Sequence, residues 1–459
     1  MSSPFPSAPR STVLKMAGIG VLVLLLLVPL GQIESVLDER LTRRQQAVDD
    51  ITQSWGRMQT VVGPLLMIPY RYQEKVWKQQ TTDGRTEPVE VLETRTDRAW
   101  FLPQELRVEA TMDPHRLYRG IYDTIVYRST LALSGRFGPP DLAALGIEAR
   151  DVVWDEATLS LAVSDLRGVQ EALEIGWGRE RLRLTPGTSV ADFPSGVATR
   201  VPGLRDARDG VAFDLDLALN GSEELRVAPV GVTNVVRVTS TWPDPGFRGA
   251  FLPAERTIGP TGFDAQWRVS YYGRGYPQAW TERAPGSAPF GGKSVDSSLI
   301  GVALVSLVDG YRTVERAIKY GVLFIALVFT TFFLFEVLAR PRIHPFQYTL
   351  IGASLCLFFL SLLSLSEFIR FGLAYLIAAG ASALLVTSYA TVLLRDVRRA
   401  LLVGGALAAV YGFLYVILRL QDYSLVVGTT GLFLVLAIVM YATRAVDWYR
   451  RDAEVPATG

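Results

Sequence analysis

The run VLKMAGIGVLVLLLLVPL, residues 13–30, decides the fold class, because only Lys15 in it resists burial in a lipid bilayer. As a helix rising 1.5 Å per residue it is about 27 Å long, close to the hydrocarbon thickness of a bilayer. Arg10 and Lys15 lie at its start. A cleaved signal peptide is the alternative, but the segment from Val28 to Gln32 lacks the small-x-small pattern of a cleavage site. The run therefore predicts an uncleaved membrane anchor.

Five more apolar runs follow, each long enough to cross a bilayer. They lie at residues 318–338, 346–365, 371–394, 401–418 and 423–441. Peptide groups in hydrocarbon must bond to one another, so these runs are expected to cross as helices. The sequence predicts a polytopic α-helical membrane protein with six spans: an anchor at 13–31 and a five-helix bundle at 318–442.

Lysine and arginine near the span ends predict the orientation, because they are retained on the cytoplasmic side. With the N-terminus inside, most of these residues are cytoplasmic: Arg10, Lys15, Arg340, Arg342, Arg395, Arg398, Arg399, Arg444, Arg450 and Arg451. The short outer turns hold Arg370 and Arg419. Arg312, Arg316 and Lys319 count against this orientation, but they end a long translocated segment, where the rule weakens. We predict cytoplasmic tails at 1–12 and 443–459.

The region between the first two spans, 32–317, is predicted to lie outside the membrane. Apolar residues recur at helical spacing in its first part: Ile33, Leu37, Leu41, Val48, Ile51, Trp55 and Met58. This spacing predicts a helical stalk over 32–62 that lays one face on the outer domain and stops by Gly63-Pro64.

The rest of the outer region alternates apolar and polar residues with period two, which is typical of strands with one buried face. The clearest example runs from Val211 to Leu219, and Asn220-Gly221 after it predicts a turn. Further candidate strands lie at 131–133, 159–163, 235–238 and 267–271. The sequence predicts a large, mainly antiparallel β domain, with two packed sheets as one possibility.

Composition and motifs argue against most kinds of chemistry. A net charge of +1 does not suggest a nucleic-acid partner, and one cysteine, Cys356, cannot form an intramolecular disulfide. The stretch from Gly286 to Ser294 resembles a phosphate loop, but its spacing is one residue too long. His115 and His344 fall on opposite sides of the predicted membrane, so they cannot share a zinc site. We predict no catalytic residue, no cofactor and no metal.

Charged residues at the ends of the spans are the candidate functional positions. Four pairs have helical contact spacing: Glu336 with Arg340, Glu367 with Arg370, Arg419 with Asp422, and Arg444 with Asp447. One interpretation is four local pairs whose long side chains reach water. The other is a polar track through the bundle for protons, ions or a lipid headgroup. The local pairs are favoured, because no acid or base falls at mid-span. His344, near Glu336, is a further candidate.

Several stretches also resemble the inner-membrane protein CreD family. They include Tyr311 to Glu336, Ile343-His344-Pro345-Phe346-Gln347-Tyr348, Leu363 to Glu367, Asp422 to Phe433, Thr443 to Tyr449 and, in the outer region, Tyr118 to Tyr122. The resemblance implies a bacterial inner-membrane protein tied to cell-envelope integrity and stress response, with effects on colicin tolerance and β-lactam response. It brings no established catalytic residues. Phe368 stands where a His or similar polar residue is expected after the Glu, which argues against a Glu-His pair there.

Three functions are considered. The first is a non-enzymatic envelope-maintenance protein, embedded in the lipid bilayer, whose periplasmic domain binds an envelope protein, glycan or lipid. The second is a transporter or lipid-handling protein that uses the helix bundle, although no inverted repeat is evident. The third, an extracytoplasmic enzyme, is the weakest because the usual motifs are absent. The sequence predicts neither the partner nor the oligomeric state.

Overall fold

The computed structural model describes residues 10–82, 85–169, 171–283, 290–305, 310–339, 344–420 and 423–444. The chain divides into two compact units. The first, Met1–Gln45 with Val308–Gly459, is here called the helical unit. The second, Gln46–Leu307, is called the β unit.

The long apolar helices follow the predicted apolar runs. In the described part of the chain they are α1 (Arg10–Trp55), α2 (Gly292–Asp296), α3 (Gly310–Lys319), α4 (Gly321–Ala339), α5 (Pro345–Ser366), α6 (Phe371–Leu394), α7 (Val397–Arg419) and α8 (Ser424–Thr443). Within these residues, five helices are long and apolar enough to cross a membrane, or six if α3 and α4 form one bent span. α2 lies outside the predicted runs, and α3 overlaps them by only two residues.

The bent pair is where the structure departs from the predicted span at 318–338. α3 and α4 meet at an angle of 50° instead of forming one straight helix. The break lies at Tyr320-Gly321. Glycine is a weak helix former, and a Cβ at Gly321 would lie 3.0 Å from both δ carbons of Leu30 in α1. The close approach of α1 therefore favours glycine at the break.

α1 ends seven residues before the end of the stalk predicted over 32–62. It ends at Trp55, and Gly56 follows with φ +142°, donating its N–H to the Thr52 carbonyl. Residues 59–62 are strand, not helix. Ile33 and Leu37, two residues of the predicted apolar face, pack in the core of the helical unit.

The large β domain is confirmed. Its strands are β1 (Gln59–Thr82), β2 (Arg85–Phe101), β3 (Glu105–Arg119), β4 (Tyr122–Phe137), β5 (Thr158–Val163), β6 (Glu174–Trp177), β7 (Glu180–Arg183), β8 (Thr185–Pro186), β9 (Gly196–Arg200), β10 (Val211–Ser222), β11 (Glu224–Val227), β12 (Thr233–Ser240), β13 (Pro245–Gly249), β14 (Glu255–Gly259), β15 (Gly262–Ser270), β16 (Ala279–Thr281) and β17 (Ile300–Leu304).

These strands form two sheets among the described residues. One has nine strands in the order β13-β17-β11-β1-β5-β9-β8, with β2 on β1 and β16 on β2. The other has eight, in the order β14-β15-β12-β3-β4-β10-β6-β7. The described pairs are antiparallel except β1 with β11 and β3 with β12. The two longest pairings are the hairpins β1–β2 and β3–β4.

The alternation along β10 explains the core of the β unit. Phe213, Leu215, Leu217 and Leu219 are all nearly fully buried, while the residues between them face outward or are only partly covered. Burying such a side chain contributes about 1.5–3 kcal/mol to the free energy of folding. Leu215 and Leu217 lie opposite Leu133 and Leu131 of β4, so one apolar face is continuous across the two strands.

The turn predicted at Asn220-Gly221 is wrong. β10 continues to Ser222, with Gly221 paired to Tyr127 of β4. A Cβ on Gly221 would lie 2.4 Å from the Tyr127 hydroxyl, so this glycine makes room for a buried tyrosine. The chain changes direction one step later, at Glu223, which adopts φ 60°.

The helical unit has an aromatic core. Phe324 of α4, Phe358 of α5 and Tyr411 of α7 pack with ring centroids 4.8–5.9 Å apart. Tyr375 of α6 packs edge-to-face on Phe358 at 5.4 Å. Cys356 is also buried in α5. Since lipid tails are as apolar as these side chains, close packing and hydrogen bonds hold the helices together.

Candidate functional sites

Glu367, at the C-terminal end of α5, does not pair with Arg370 as its spacing predicted. Its carboxylate lies 3.6 Å from the Arg40 Nε of α1 and accepts a hydrogen bond of 3.2 Å from the Tyr311 hydroxyl of α3. The side chain is only 8% exposed. The Arg44 guanidinium lies 5.8 Å from the Tyr311 ring. This Glu367 cluster joins three helices of the helical unit through one buried carboxylate.

Arg370 and Arg419 are both exposed cations at helix ends. Arg370 precedes α6, and no ion pair joins it to another described residue. Arg419 ends α7, where its Nε–H donates to the Tyr415 hydroxyl at 3.1 Å and its guanidinium lies 5.5 Å from the Tyr415 ring. Its predicted partner Asp422 lies outside the described residues. Neither arginine therefore has a carboxylate partner in the part of the chain that is described.

Glu336 and His344 occupy structural positions in the helical unit. The Glu336 carboxylate accepts a hydrogen bond of 3.0 Å from the Tyr348 hydroxyl of α5. Arg340, the predicted partner of Glu336, lies outside the described residues. His344 caps α5: its Nδ1 accepts from the Phe346 N–H at 3.2 Å, and its own N–H donates to Gln347. A cap of this kind satisfies N–H groups that have no partner within the helix.

Arg444 stacks on an aromatic ring at the end of α8. Its guanidinium lies 3.9 Å from the centroid of Tyr441, three residues earlier. Such a cation–π contact contributes about 0.5–1 kcal/mol at an exposed site. Asp447, its predicted partner, lies outside the described residues, so the structure leaves that pairing as a prediction.

A buried polar network crosses the bundle at positions that the charge pattern did not indicate. The Tyr411 hydroxyl donates to Ser382 Oγ at 2.8 Å, and the two hydroxyls of Ser382 and Ser354 lie 3.0 Å apart. The Tyr375 hydroxyl donates to the Tyr411 carbonyl at 2.6 Å. This Ser-Tyr network links α5, α6 and α7. No sequence spacing could have predicted it, because its members come from three different helices.

A groove of about 470 Å³ lies between α6 and α7. Its walls carry mostly small residues: Gly372, Ala379, Gly380, Ala383, Ala408 and Gly412. Tyr375, Tyr411 and Tyr415 also face it. This volume lies within the range of small-molecule sites in proteins, roughly 300–1,000 Å³.

A second cavity, of about 630 Å³, opens in the β unit and is here called the recess. Charged side chains of both signs surround it: Arg71, Arg150, Arg200, Arg205, Asp151, Asp155 and Asp206. Trp154, half-buried, forms part of its wall. Arg150 pairs with Glu148 at 2.8 Å. The other six charges form no ion pair with any residue that the structure describes.

A third polar cluster lies just after β5 of the nine-stranded sheet. Asp165, buried, accepts hydrogen bonds from the Arg167 guanidinium at 2.9–3.0 Å and from the Arg57 N–H at 3.3 Å. Burial raises the pKa of Asp165, but the hydrogen bonds and charge of Arg167, with the Arg57 N–H, outweigh it and hold this pKa below its usual value. Gln59 also donates to the Asp165 carbonyl. The cluster therefore holds the Asp165 carboxylate in place in its ionised form.

The remaining sequence candidates do not form a reactive site among the described residues. His115 lies in β3, paired with Val126 of β4. It is 40% exposed and lies 3.2 Å from Asp113. No group of three or more His, Cys, Asp or Glu that could hold a metal occurs within the described ranges. Lys293 and Ser294 lie in the five-residue α2, while 284–289 fall outside the description.

Several apolar helices of spanning length in a chain that also folds a large two-sheet domain define a multi-pass membrane protein. A family model described as "Inner membrane protein CreD" matches residues 11–449. The chain is also 32% identical over 435 residues to "Inner membrane protein CreD" of Escherichia coli (strain K12), covering 95% of this chain and 93% of that protein. The chain therefore belongs to the CreD family of inner membrane proteins.

Proposed function

We propose that this protein supports cell-envelope integrity without catalysing a reaction, by binding an envelope partner through its β unit. In this proposal six spans place both termini in the cytoplasm, and the β unit faces the periplasm. The predicted partner is an envelope protein, glycan or lipid, and no nucleic acid takes part. Family membership supports the inner-membrane location, and the recess supports the binding role.

The observation that carries the proposal is the set of six charges around the recess that form no ion pair with any described residue. Arg71 comes from β1, Arg200 from the end of β9 and Arg205 from the turn that follows. Arginine and aspartate side chains that surround one cavity without pairing keep their hydrogen-bonding capacity for another molecule. Complementary charges on a partner would steer its approach and select it.

The test uses the full-length protein in a strain that lacks the chromosomal copy. The variant Arg71→Gln/Arg200→Gln/Arg205→Gln removes three cations of the recess that form no ion pair with a described residue. The matched control is Arg179→Gln/Arg183→Gln/Arg248→Gln, which removes three exposed arginines of the β unit that do not surround the recess.

We expect the recess variant to be inserted at normal levels yet to lose protection against envelope stress, measured as survival in detergent or a β-lactam. A photo-crosslinker beside the recess should lose its envelope adduct in the same variant, and the control should behave as wild type. Full protection and unchanged adducts in the recess variant would refute the proposal.

Orientation has its own test. Reporter fusions after Asp216 should behave as periplasmic, and fusions after Arg399 as cytoplasmic. The reverse pattern would overturn the proposed topology, whatever the β unit binds.

A transporter or lipid-handling role is the second candidate. The Ser-Tyr network favours it, because buried hydroxyls in a membrane bundle can form part of a polar path. If such a path runs through the acids, then Glu336→Gln and Glu367→Gln should each abolish the cellular phenotype. An intact phenotype in both would eliminate it.

A further inference from the structure

We propose that the groove between α6 and α7 binds an anionic phospholipid, with an acyl chain along the small residues and the headgroup phosphate at Arg370 and Arg419. The proposal concerns the helical unit alone and does not depend on what the β unit binds. Two features carry it: the open, apolar wall of the groove, and the charge at one end of it.

The wall of the groove is open to the outside of the bundle. Ideal Cβ atoms built on Gly380 of α6 and Gly412 of α7 would meet nothing within 4 Å. Leu376, which also lines the groove, is 68% exposed. In a bilayer the molecule available to fill an open apolar space beside a spanning helix is lipid. Small residues let a chain approach the helix backbones closely, as they do between packed helices.

The charge lies at the Gly372 end of the groove. A Cβ on Gly372 would be 3.4 Å from the Tyr415 hydroxyl and 3.8 Å from Arg419 Nη2, so the guanidinium stands over the first turn of α6. Arg370 immediately precedes that turn. Neither arginine forms an ion pair with a described residue, and the positive end of the α6 dipole lies at the same place. The end of the groove is therefore complementary to an anion.

The opposite end of the same two helices is different. There the Asp396 carboxylate accepts the Arg398 N–H at 2.9 Å and lies 3.3 Å from the Arg399 Nε. At that end Arg399 therefore has a carboxylate partner, which neither Arg370 nor Arg419 has among the described residues. Guanidinium groups bind phosphate by paired hydrogen bonds, so two arginines select a lipid with net negative charge over a zwitterionic one.

The first experiment fills the groove. Full-length protein is released from bilayers of equal phosphatidylglycerol and phosphatidylcholine, and retained lipids are counted by native mass spectrometry. Gly412→Leu should lower lipid retention by about tenfold, because the new side chain occupies the space of the acyl chain. The matched control, Gly405→Leu, adds the same side chain to α7 at an open position outside the groove and should retain lipid as wild type does.

The second experiment removes the charge. Arg370→Gln/Arg419→Gln should abolish the preference for phosphatidylglycerol, while Arg444→Gln, at the end of α8, should keep it. Equal retention of both lipids by the wild type, or no change in Gly412→Leu, would overturn the proposal. A wild-type dimer that Gly412→Leu converts to monomer would also overturn it, because the occupant would then be a second copy.

Discussion

The Glu367 carboxylate at the end of α5 lies 3.6 Å from the Arg40 guanidinium of α1, although 326 residues separate them in the chain. Glu367 is almost fully buried, whereas Arg40 is 38% exposed. The same carboxylate accepts the Tyr311 hydroxyl of α3. Three helices of the helical unit therefore depend on one acidic side chain for part of their attachment.

Replacing this carboxylate should loosen the helical unit. We expect Glu367→Gln to lower the free energy of unfolding by about 1–3 kcal/mol, since the amide keeps a hydrogen-bond acceptor for Tyr311 but loses the ionic attraction to Arg40. Thermal unfolding of the full-length protein in detergent measures it. Glu315→Gln, which breaks the exposed pair with Lys319, is the control and should cost under about 0.5 kcal/mol.

A double-mutant cycle isolates the Arg40–Glu367 pair. We expect Arg40→Gln and Glu367→Gln to be non-additive, with a coupling of about 0.5–2 kcal/mol. Additive effects would show that the loss in Glu367→Gln comes from other contacts.

The Ser-Tyr network should stabilise the bundle modestly. Tyr411→Phe removes the hydroxyl that donates to Ser382 and leaves the packing of the ring on Phe358 unchanged. We expect a loss of about 0.5–1.5 kcal/mol, as for other hydrogen bonds between membrane helices. Tyr441→Phe is the control, because Tyr441 is exposed and its ring still stacks under Arg444. Equal stability of both variants would contradict this role for the network.

Asp165 should make the β unit sensitive to acid. Its pKa is lower in the folded protein than in the unfolded chain, so its contribution is fully present above the unfolded value of about 4 and is lost as the pH falls through the folded value. Chemical unfolding followed by tryptophan fluorescence should show stability declining below about pH 4 in the wild type.

Asp165→Asn should flatten this decline and cost about 1–3 kcal/mol at neutral pH, because the charge-assisted bonds from Arg167 are weakened. Asp216→Asn, on the exposed face of β10, is the control and should retain the acid sensitivity of the wild type. An unchanged pH profile in Asp165→Asn would assign the acid sensitivity to other carboxylates.

Gly56 should be intolerant of a side chain. With φ +142°, an added Cβ would lie 2.6 Å from the Asn220 carbonyl oxygen. We expect Gly56→Ala to destabilise the β unit by more than about 2 kcal/mol, combining backbone strain with a steric clash. Gly187→Ala at φ +120° meets nothing within 4 Å and isolates the strain alone. Equal unfolding temperatures for the two variants would contradict this prediction.

Local pattern was enough to predict the apolar helices of the bundle and five of the strands of the β unit, but not the long strands β1, β2 and β3. Period two along Val211 to Leu219 predicted β10, because alternation depends only on which face is buried. The prediction of a turn at Asn220-Gly221 was wrong. The sequence is typical of a turn, but the glycine is there because its position makes room for Tyr127 of β4. Tertiary contact overrode local preference there.

The candidate sites depend on such distant contacts throughout. Helical spacing suggested Arg370 as the partner of Glu367, yet Arg40 reaches the carboxylate from α1. Arg71 and Arg200 surround one recess only because their strands are brought together in a sheet. Spacing along one helix or strand carries no information about contacts of this kind.

The burial of Cys356 in α5 has a practical consequence for every experiment on this chain. With its one native thiol shielded inside the bundle, the wild-type protein offers thiol-directed reagents almost nothing to modify. A cysteine introduced at an exposed position would be the reactive one, so spin labels, fluorophores and membrane-impermeant maleimides can be placed one site at a time without first rebuilding the core.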